Sequence, residues 1–454
     1  MRIPLVLCAL WCVTLPVSQL SLAAVTPEVA SQLGKALTPM GAETSGNADG
    51  SIPAWNGVYK IPQADYNAGG RRPDPFANEK PLYTVNAANV DQYVDKLSVA
   101  TQEMLKRYPQ TYRLNVYPSH RTGGAPDWVY ANTLKNATRS KLVIGSGGPM
   151  VEGAYGGIPF PIPNAGEEVM WNSMLNWRGQ STQTKFRSYL ITSAGKAVMT
   201  VEGTGSQQMP FYFEDGSLGN FGQEHTMVRV LNSGPPIRAG EGILGRLNMN
   251  PENDKSFSYL TGQRRVRRLP NTCCDTPTPA TAGISSFDEL NVYSGRMDRF
   301  NWRIVGKKEM LVPYNTNRSF VPTKDSDLIQ AKHLNPDNVR WELHRVWVVE
   351  ATLAPGKRHV APKSTYYLDE DTWLPLLGER YDAHGVLWKS LWMLPLVMPD
   401  LPGVYSTTWG FNDLISDTWF ISGVMNEQQS QFKIVPRYQD AHFSSSALAA
   451  EGVR

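Results

Sequence analysis

The most informative part of the sequence is Arg340-Trp-Glu-Leu-His-Arg-Val-Trp-Val-Val-Glu-Ala-Thr-Leu353. Its odd positions are mostly apolar and its even positions include most of its charged residues, which predicts a long strand with one apolar and one solvated face. Arg345 breaks the apolar face. We therefore expect Arg345 to have a buried partner, either an acid from a neighbouring strand or a ligand head group. Arg340 lies on the other face, where we expect its replacement by Met to be nearly silent.

The residues that follow continue this strand as an antiparallel meander. Tyr366–Trp373 predicts a strand that runs into an acidic turn. Trp373–Tyr381 and Val386–Leu394 predict two more strands, separated by the polar turn Asp382-Ala-His-Gly385. Strand patterns also dominate from Lys185 onward, so antiparallel pairing is the main organising feature of the chain.

The apolar faces of the meander are unusually rich in tryptophan. Trp341 and Trp347 share one face of their strand, and Trp388 and Trp392 share one face of theirs. If these strands lie in one sheet, the rings could line its concave side and contact a ligand. The alternative is that they fill the core beneath covering helices. The predicted ligand-binding residues are Trp341, Leu343, Arg345, Trp347, Trp388 and Trp392.

The N-terminus has the features of a secretory signal. Met1-Arg2 is followed by an apolar run over residues 3–17 and by the small residues Ser21-Leu-Ala23. We expect cleavage after residue 23 and a mature periplasmic chain from Ala24, the alternative being an uncleaved anchor. The whole chain has 44 basic and 41 acidic residues, and cleavage removes one Arg. This balance favours neither nucleic acid nor an anionic membrane surface as a partner.

No catalytic, metal or cofactor motif stands out in the sequence. Glu342 and His344 share a strand face and could orient an imidazole for acid–base chemistry, or could simply be solvated. The acidic turn 369–371 is expected to be solvated, or neutralised by nearby Arg or Lys. Cys273 and Cys274 are adjacent, so they are expected to be thiols or a strained vicinal disulfide. We predict no catalytic residue, no metal and no cofactor.

Composition and spacing also suggest how the chain is divided. We expect a signal peptide (1–23), an N-terminal arm with helices and Gly/Pro-rich loops (24–163), a sheet domain (164–440) and a polar tail that frays (441–454). Helices are predicted over Asn89–Tyr108, with Asn89 as its cap, and after Asn164. The run Gln263-Arg-Arg-Val-Arg-Arg268 predicts a strand with arginines on both faces, paired with nearby acids.

Several motifs spread over most of the mature chain carry a family resemblance. They include Leu37-Thr-Pro-Met-Gly-Ala-Glu43, Gly46-Asn-Ala-Asp-Gly-Ser-Ile-Pro-Ala-Trp55, Tyr155-Gly-Gly-Ile-Pro-Phe-Pro-Ile-Pro163, Gly262-Gln-Arg-Arg-Val-Arg-Arg268 and His344-Arg-Val-Trp-Val-Val-Glu350. The chain resembles a proteobacterial family of unknown function whose members are described as outer-membrane lipoprotein-sorting proteins. The resemblance implies a LolA/LolB-like α+β fold. Its large, strongly curved antiparallel sheet would form an incomplete β-barrel, with helices packed in or over the concave face.

The same resemblance implies a function. We expect a periplasmic carrier for a lipid, a lipoprotein acyl chain or other apolar cargo, associated with the outer membrane. It would act with an RND-type exporter and an outer-membrane companion protein. Two alternatives remain open, namely a periplasmic hydrolase acting on an apolar substrate and a scaffold subunit of an export complex that binds no cargo. The carrier function rests here on analogy between folds, whereas the antiparallel meander supports the fold independently.

Overall fold

The computed structural model describes residues 24–59, 71–269, 273–281, 283–428 and 432–452. The predicted signal peptide, residues 1–23, lies outside these ranges. Within them, no helix is both long enough and apolar enough to span a bilayer.

The strands dominate the structure, as the sequence predicts. In chain order they are β1 (Tyr83–Val85), β2 (Leu114–Val116), β3 (Lys141–Gly145), β4 (Gly148–Glu152), β5 (Ser181–Ile191), β6 (Ala197–Gln208), β7 (Glu224–Gly234), β8 (Gly242–Asn248), β9 (Lys255–Leu260), β10 (Arg265–Arg268), β11 (Phe300–Pro313), β12 (Trp341–Leu353), β13 (Lys363–Asp369), β14 (Pro375–Tyr381), β15 (Leu387–Met398), β16 (Gly403–Asp413), β17 (Thr418–Val424) and β18 (Phe432–Ile434).

Sixteen of these strands form one sheet, in the order β1-β2-β12-β13-β14-β15-β16-β17-β5-β6-β7-β8-β9-β10. In addition, β11 pairs with β12, and β18 pairs with β5. The pairing is antiparallel throughout except for a short parallel contact between β2 and β12. Strands β3 and β4 form a separate hairpin. The expected α+β fold with a large antiparallel open sheet is confirmed, and β1 and β2 of the N-terminal arm belong to that sheet.

Six α-helices lie around the sheet in the described ranges. They are α1 (Pro27–Ala30), α2 (Val99–Arg107), α3 (Asp127–Arg139), α4 (Gly166–Met174), α5 (Asp325–Leu328) and α6 (Ser445–Gly452). The helix expected after Asn164 is α4. The helix expected over 89–108 is shorter, because Leu97 is extended and Ser98 caps α2 by accepting a hydrogen bond from the Thr101 N–H at 3.1 Å. Two short 3₁₀ turns precede it, and Asn89 does not cap a helix.

The prediction that β12 has a solvated face is wrong. Arg340, Glu342 and His344 are buried. The side chain of Tyr314, just after β11, stacks on the His344 ring at a centroid distance of 3.8 Å. Alternation shows which residues share a face of a strand. It does not show that a polar face is exposed, because polar side chains can be buried when other polar groups form hydrogen bonds with them.

The C-terminal residues up to 452, where the description of the chain ends, are folded and not frayed. The segment 440–443 makes a 3₁₀ turn, and α6 follows it directly. Phe443 and Leu448 are fully buried in a small core with Leu244 and Tyr259. This second core covers one face of β7–β9 and leaves the opposite face of the same strands for another element to cover.

Candidate ligand-binding cavity

A cavity with a mainly apolar lining, about 250 Å³ in volume, lies against one face of the sheet. Its floor includes Val228 and Val230 of β7 and Ile243 of β8. Val230 pairs directly with Ile243, and Val228 pairs with Gly245, so these residues share a face. The intervening residue Arg229 is on the other face, with the second core. We refer to this space as the apolar cavity.

The opposite wall of the apolar cavity comes from two distant parts of the chain. Trp171 and Met174 come from α4, and Leu290 and Tyr293 come from the connection between β10 and β11. Met393 of β15 also lines the cavity. The cavity therefore depends on the packing of segments that are far apart in sequence.

Buried ion pairs fix the 287–296 segment of that wall to the sheet. Arg380 Nη2 lies 3.1 Å from Asp288 Oδ1, and Lys389 Nζ lies 2.7 Å from Glu289 Oε1. All four side chains are almost completely buried. Burial opposes the ionisation of Asp288, but the charge of Arg380 and the hydrogen bond from His359 outweigh it and hold the pKa of this carboxyl well below its usual range.

A glycine allows the same segment to lie close against the sheet. A Cβ on Gly378 would lie 3.0 Å from the Val292 side chain, closer than most real contacts of this kind. Val292 itself is fully buried and has a positive φ of 72°. The segment is therefore tightly held where it meets β14.

A few polar groups face the apolar cavity, and two of them have strongly shifted pKa values. Burial and the nearby charge of Arg178 lower the pKa of His225 to about 3, so its ring is neutral at pH 7. Burial raises the pKa of Asp254 to about 7. The Arg178 guanidinium donates to the Met174 carbonyl at the end of α4, at 2.8 Å. A mainly apolar cavity with a few fixed polar groups is typical of small-molecule sites.

The six residues predicted to bind a ligand do not line the apolar cavity. Val348, Tyr367, Leu377 and Trp392 are paired across β12–β15, so they share one face of the sheet. Trp347 is adjacent to Val348 and is therefore on the opposite face. The expectation that the four tryptophans share one concave surface is wrong for this reason.

The individual positions of these residues differ widely. Trp341 and Trp392 line a second, smaller cavity of about 40 Å³, and Leu343 is buried. Trp347 stacks on Trp373 at 6.1 Å. Trp388 is half-buried and donates its indole N–H to Asp413 at 3.0 Å. A ligand contact at these positions stays a prediction, and the geometry favours the small cavity for Trp341 and Trp392.

Arg345 has the buried acidic partner that the sequence predicts. Its Nε donates to Glu370 Oε1 at 2.6 Å, and its Nη2 donates to the Ser45 carbonyl at 2.6 Å. Lys307 Nζ lies 3.1 Å from both Glu370 and Glu43. Glu370 of the acidic turn is therefore buried and neutralised, and Arg345 fastens the N-terminal arm to it.

Arg340 is buried too, which corrects the expectation of an exposed side chain. Its guanidinium pairs with Glu342 on the same strand, and with Glu79 at 2.6 Å. Its charge also lies over the ring of Phe76 at 4.9 Å and that of Tyr117 at 4.6 Å. Arg340, like Arg345, therefore forms buried ion pairs and contacts the N-terminal arm.

Among the described residues, His344, Asp369 and Asp371 form the group whose geometry could suit a metal ion. One ligand atom from each lies within 4.8 Å of the others. His344 Nε2 is 2.9 Å from Glu342, as in the carboxylate–histidine pairs that orient metal ligands. Arg121, however, donates to both Asp371 oxygens, at 2.9 and 2.7 Å. Because a guanidinium already occupies this carboxylate, the arrangement favours a buried ion-pair network over a cation site.

The residues of the cavity floor are the ones that sequence reasoning missed. They lie in the region from Lys185 onward where strand patterns dominate, but the sequence attaches no function to that region. The available signal was alternation. Val228, Val230 and Ile243 are apolar, and they alternate with charged residues such as Arg229 and Arg246 in the same strands. That signal does not say what covers a face, so it could not distinguish a cavity from a packed core.

The fold and the cavity together define an open-sheet protein with an internal apolar site. Residues 84–449 match the family Protein of unknown function (DUF1329). An uncharacterized protein of Pseudomonas aeruginosa is 36% identical over 445 residues, which covers 95% of each chain. The chain therefore belongs to the DUF1329 family, as the motifs indicate.

Solved structures with low sequence identity are also similar to this chain. A domain from Vibrio parahaemolyticus described as outer membrane lipoprotein-sorting is 13% identical with a TM-score of 0.43, covering 63% of this chain and 98% of its own. A DUF1329 family protein from Desulfovibrio piger is 15% identical with a TM-score of 0.43, covering 62% and 97%. A LolA superfamily protein from Nitrosomonas europaea is 10% identical with a TM-score of 0.37, covering 63% and 100%.

Proposed function

We propose that this protein is a periplasmic carrier that holds a lipid, an acyl chain or another apolar molecule in the apolar cavity. The observation that carries the proposal is the cavity itself, bounded by Val228, Val230 and Ile243 on one side and by Trp171 and Leu290 on the other. Passage of the cargo to or from an RND-type exporter and an outer-membrane companion is part of the same proposal.

The size and the lining of the cavity support a ligand. A ligand that fills about 250 Å³ gains dispersion contacts with the apolar lining and removes its own apolar surface from water.

Two measurements test the carrier function. Solvent extraction of the native protein followed by mass spectrometry is expected to release a bound lipid or lipid-like molecule. After extraction, the protein is expected to bind the neutral apolar dye N-phenyl-1-naphthylamine. Ile243→Trp should fill the floor of the cavity and weaken this binding at least tenfold.

A matched variant controls for the chemical change. Ile237 lies in a surface turn with 86% of its surface exposed, so Ile237→Trp should leave dye binding unchanged. The proposal fails if no molecule is extracted and the dye binds the wild type and Ile243→Trp equally. Extraction of nothing, together with stable co-purification of an exporter subunit, would instead favour the scaffold function.

A further inference from the structure

The edge strand β10 has an unusual concentration of positive charge. Arg264, Arg265, Arg267 and Arg268 are all exposed. No ion pair joins any of them to a carboxylate in the described ranges, so the expectation that nearby acids neutralise them is wrong for this part of the chain. Four unneutralised arginines in five positions repel one another, and an anion would relieve this repulsion.

Strand register divides these arginines between the two faces of the sheet. Arg267 pairs with Ser258 of β9, Ser258 pairs with Ile243 of β8, and Ile243 pairs with Val230 of β7. Directly paired residues share a face, so Arg267 is on the face that carries the floor of the apolar cavity. Arg265, two residues away, is on the same face.

Arg268 belongs to the other face. It pairs with Phe257, which pairs with Leu244, a residue of the second core beneath α6. The same strand therefore carries arginines of equal charge and exposure on the cavity side and on the side away from it.

The distance between the cavity floor and the cavity-side arginines suits one amphiphilic molecule. Neighbouring strands are about 4.8 Å apart, so Arg267 of β10 lies about 10 Å from Ile243 of β8 along the sheet. A molecule with its apolar part against Val230 and Ile243 can extend across β9 and present a head group at the edge. Ser256 of β9 also lines the apolar cavity, so the cavity reaches from β8 toward the edge of the sheet on this face.

We propose that the cargo is an anionic amphiphile whose carboxylate or phosphate is bound by Arg265 and Arg267 while its apolar part occupies the cavity. This inference rests on the proposed carrier function and adds the chemical class of the cargo. Guanidinium groups bind both anions through paired N–H donors, so the shared feature is the negative head group.

The test compares two ligands that have the same acyl chain and differ in whether the head group is charged. The fluorescent fatty acid cis-parinaric acid and its methyl ester are titrated into the extracted full-length protein. We expect the wild type to bind the acid more tightly than the ester. The double variant Arg265→Gln/Arg267→Gln should weaken acid binding at least fivefold and leave ester binding unchanged. Displacement of the acid by palmitate or by hexadecyl phosphate then shows whether carboxylate or phosphate is preferred.

A second double variant removes the same charge elsewhere. Arg264→Gln/Arg268→Gln changes the turn before β10 and the opposite face, and should leave both affinities unchanged. The inference is overturned if both double variants weaken acid binding equally, or if the wild type binds acid and ester equally. It is also overturned if Arg265→Gln/Arg267→Gln loses only its binding to phosphatidylglycerol vesicles, because the arginines would then serve a membrane surface. Should the wild type bind neither acid nor ester, the carrier function itself fails.

Discussion

Replacing Arg345 by Met should cost about 3 kcal/mol of unfolding free energy. Arg345 and Glu370 are both nearly buried and their charged atoms are 2.6 Å apart. Removing one partner of a buried pair typically costs 3–5 kcal/mol, because the remaining charge is left without compensation. Lys307 still lies 3.1 Å from Glu370 in the variant, so the lower end of the range applies. The lost donor to the Ser45 carbonyl adds to the cost.

Two other arginines provide comparisons for the loss of unfolding free energy expected in Arg345→Met. Arg340→Met is expected to cost about 3 kcal/mol as well, since Arg340 is buried but Glu342 keeps its hydrogen bonds to His344 and Asn315. Arg303 is 64% exposed and pairs with Glu350 on the adjacent strand. Arg303→Met should therefore cost no more than about 1 kcal/mol.

Urea unfolding monitored by far-ultraviolet circular dichroism measures all three variants. Limited proteolysis should also cleave the arm near Ser45 more readily in Arg345→Met than in Arg303→Met, because the arm loses its attachment to the acidic turn. If Arg345→Met and Arg303→Met unfold at the same urea concentration with equal slopes, the buried ion pair of Arg345 stabilises the fold no more than the exposed pair of Arg303 does.

Three further results are expected. Burial raises the pKa of Asp254 to about 7, so this carboxyl binds a proton more tightly in the folded chain than in the unfolded one. Its contribution to stability, up to about 4 kcal/mol at 1.36 kcal/mol per pKa unit, should therefore be lost as pH rises from about 4 to 7, and Asp254→Asn should make this fall smaller in urea titrations. Glu289→Gln should loosen the cavity wall by weakening its pair with Lys389, seen as faster hydrogen exchange over 287–296 while β16 is unaffected. Trp347 and Trp388 do not line the apolar cavity, so Trp347→Ala and Trp388→Ala should leave dye binding unchanged. Tenfold weaker binding in either variant would show that the dye binds elsewhere.

The strands were predictable because their signals are local. Alternation over 340–353 and the polar turns after Asp369 and Tyr381 are read within a few residues, and β12–β15 lie where they indicate. The predicted helix over 89–108 is too long because its apolar stripe runs through Leu97. The hydroxyl of Ser98 favours a helix start directly after this residue.

Burial and the cavity were less predictable because both depend on distant segments. The polar face of β12 is buried because two side chains just after β11 cover it. Tyr314 stacks on His344, and the Asn315 side-chain amide donates to Glu342. Arg345 was an exception, since a lone charge on an apolar face implies a partner wherever that partner lies in the chain. Nothing local joins Ile243 to Leu290, so their shared cavity could not be inferred from either stretch.

The order of strands has a consequence for how the chain folds. Neighbours in the sheet are also neighbours in the chain throughout β5–β10 and throughout β11–β17, so each half is a set of local hairpins. The two halves meet where β17 and β18 pair with β5, a contact that must close a long loop and is expected to form late. Val230 belongs to the first half and Met393 to the second. Ligand binding should therefore be one of the last properties acquired during refolding, appearing only after most strands have already paired.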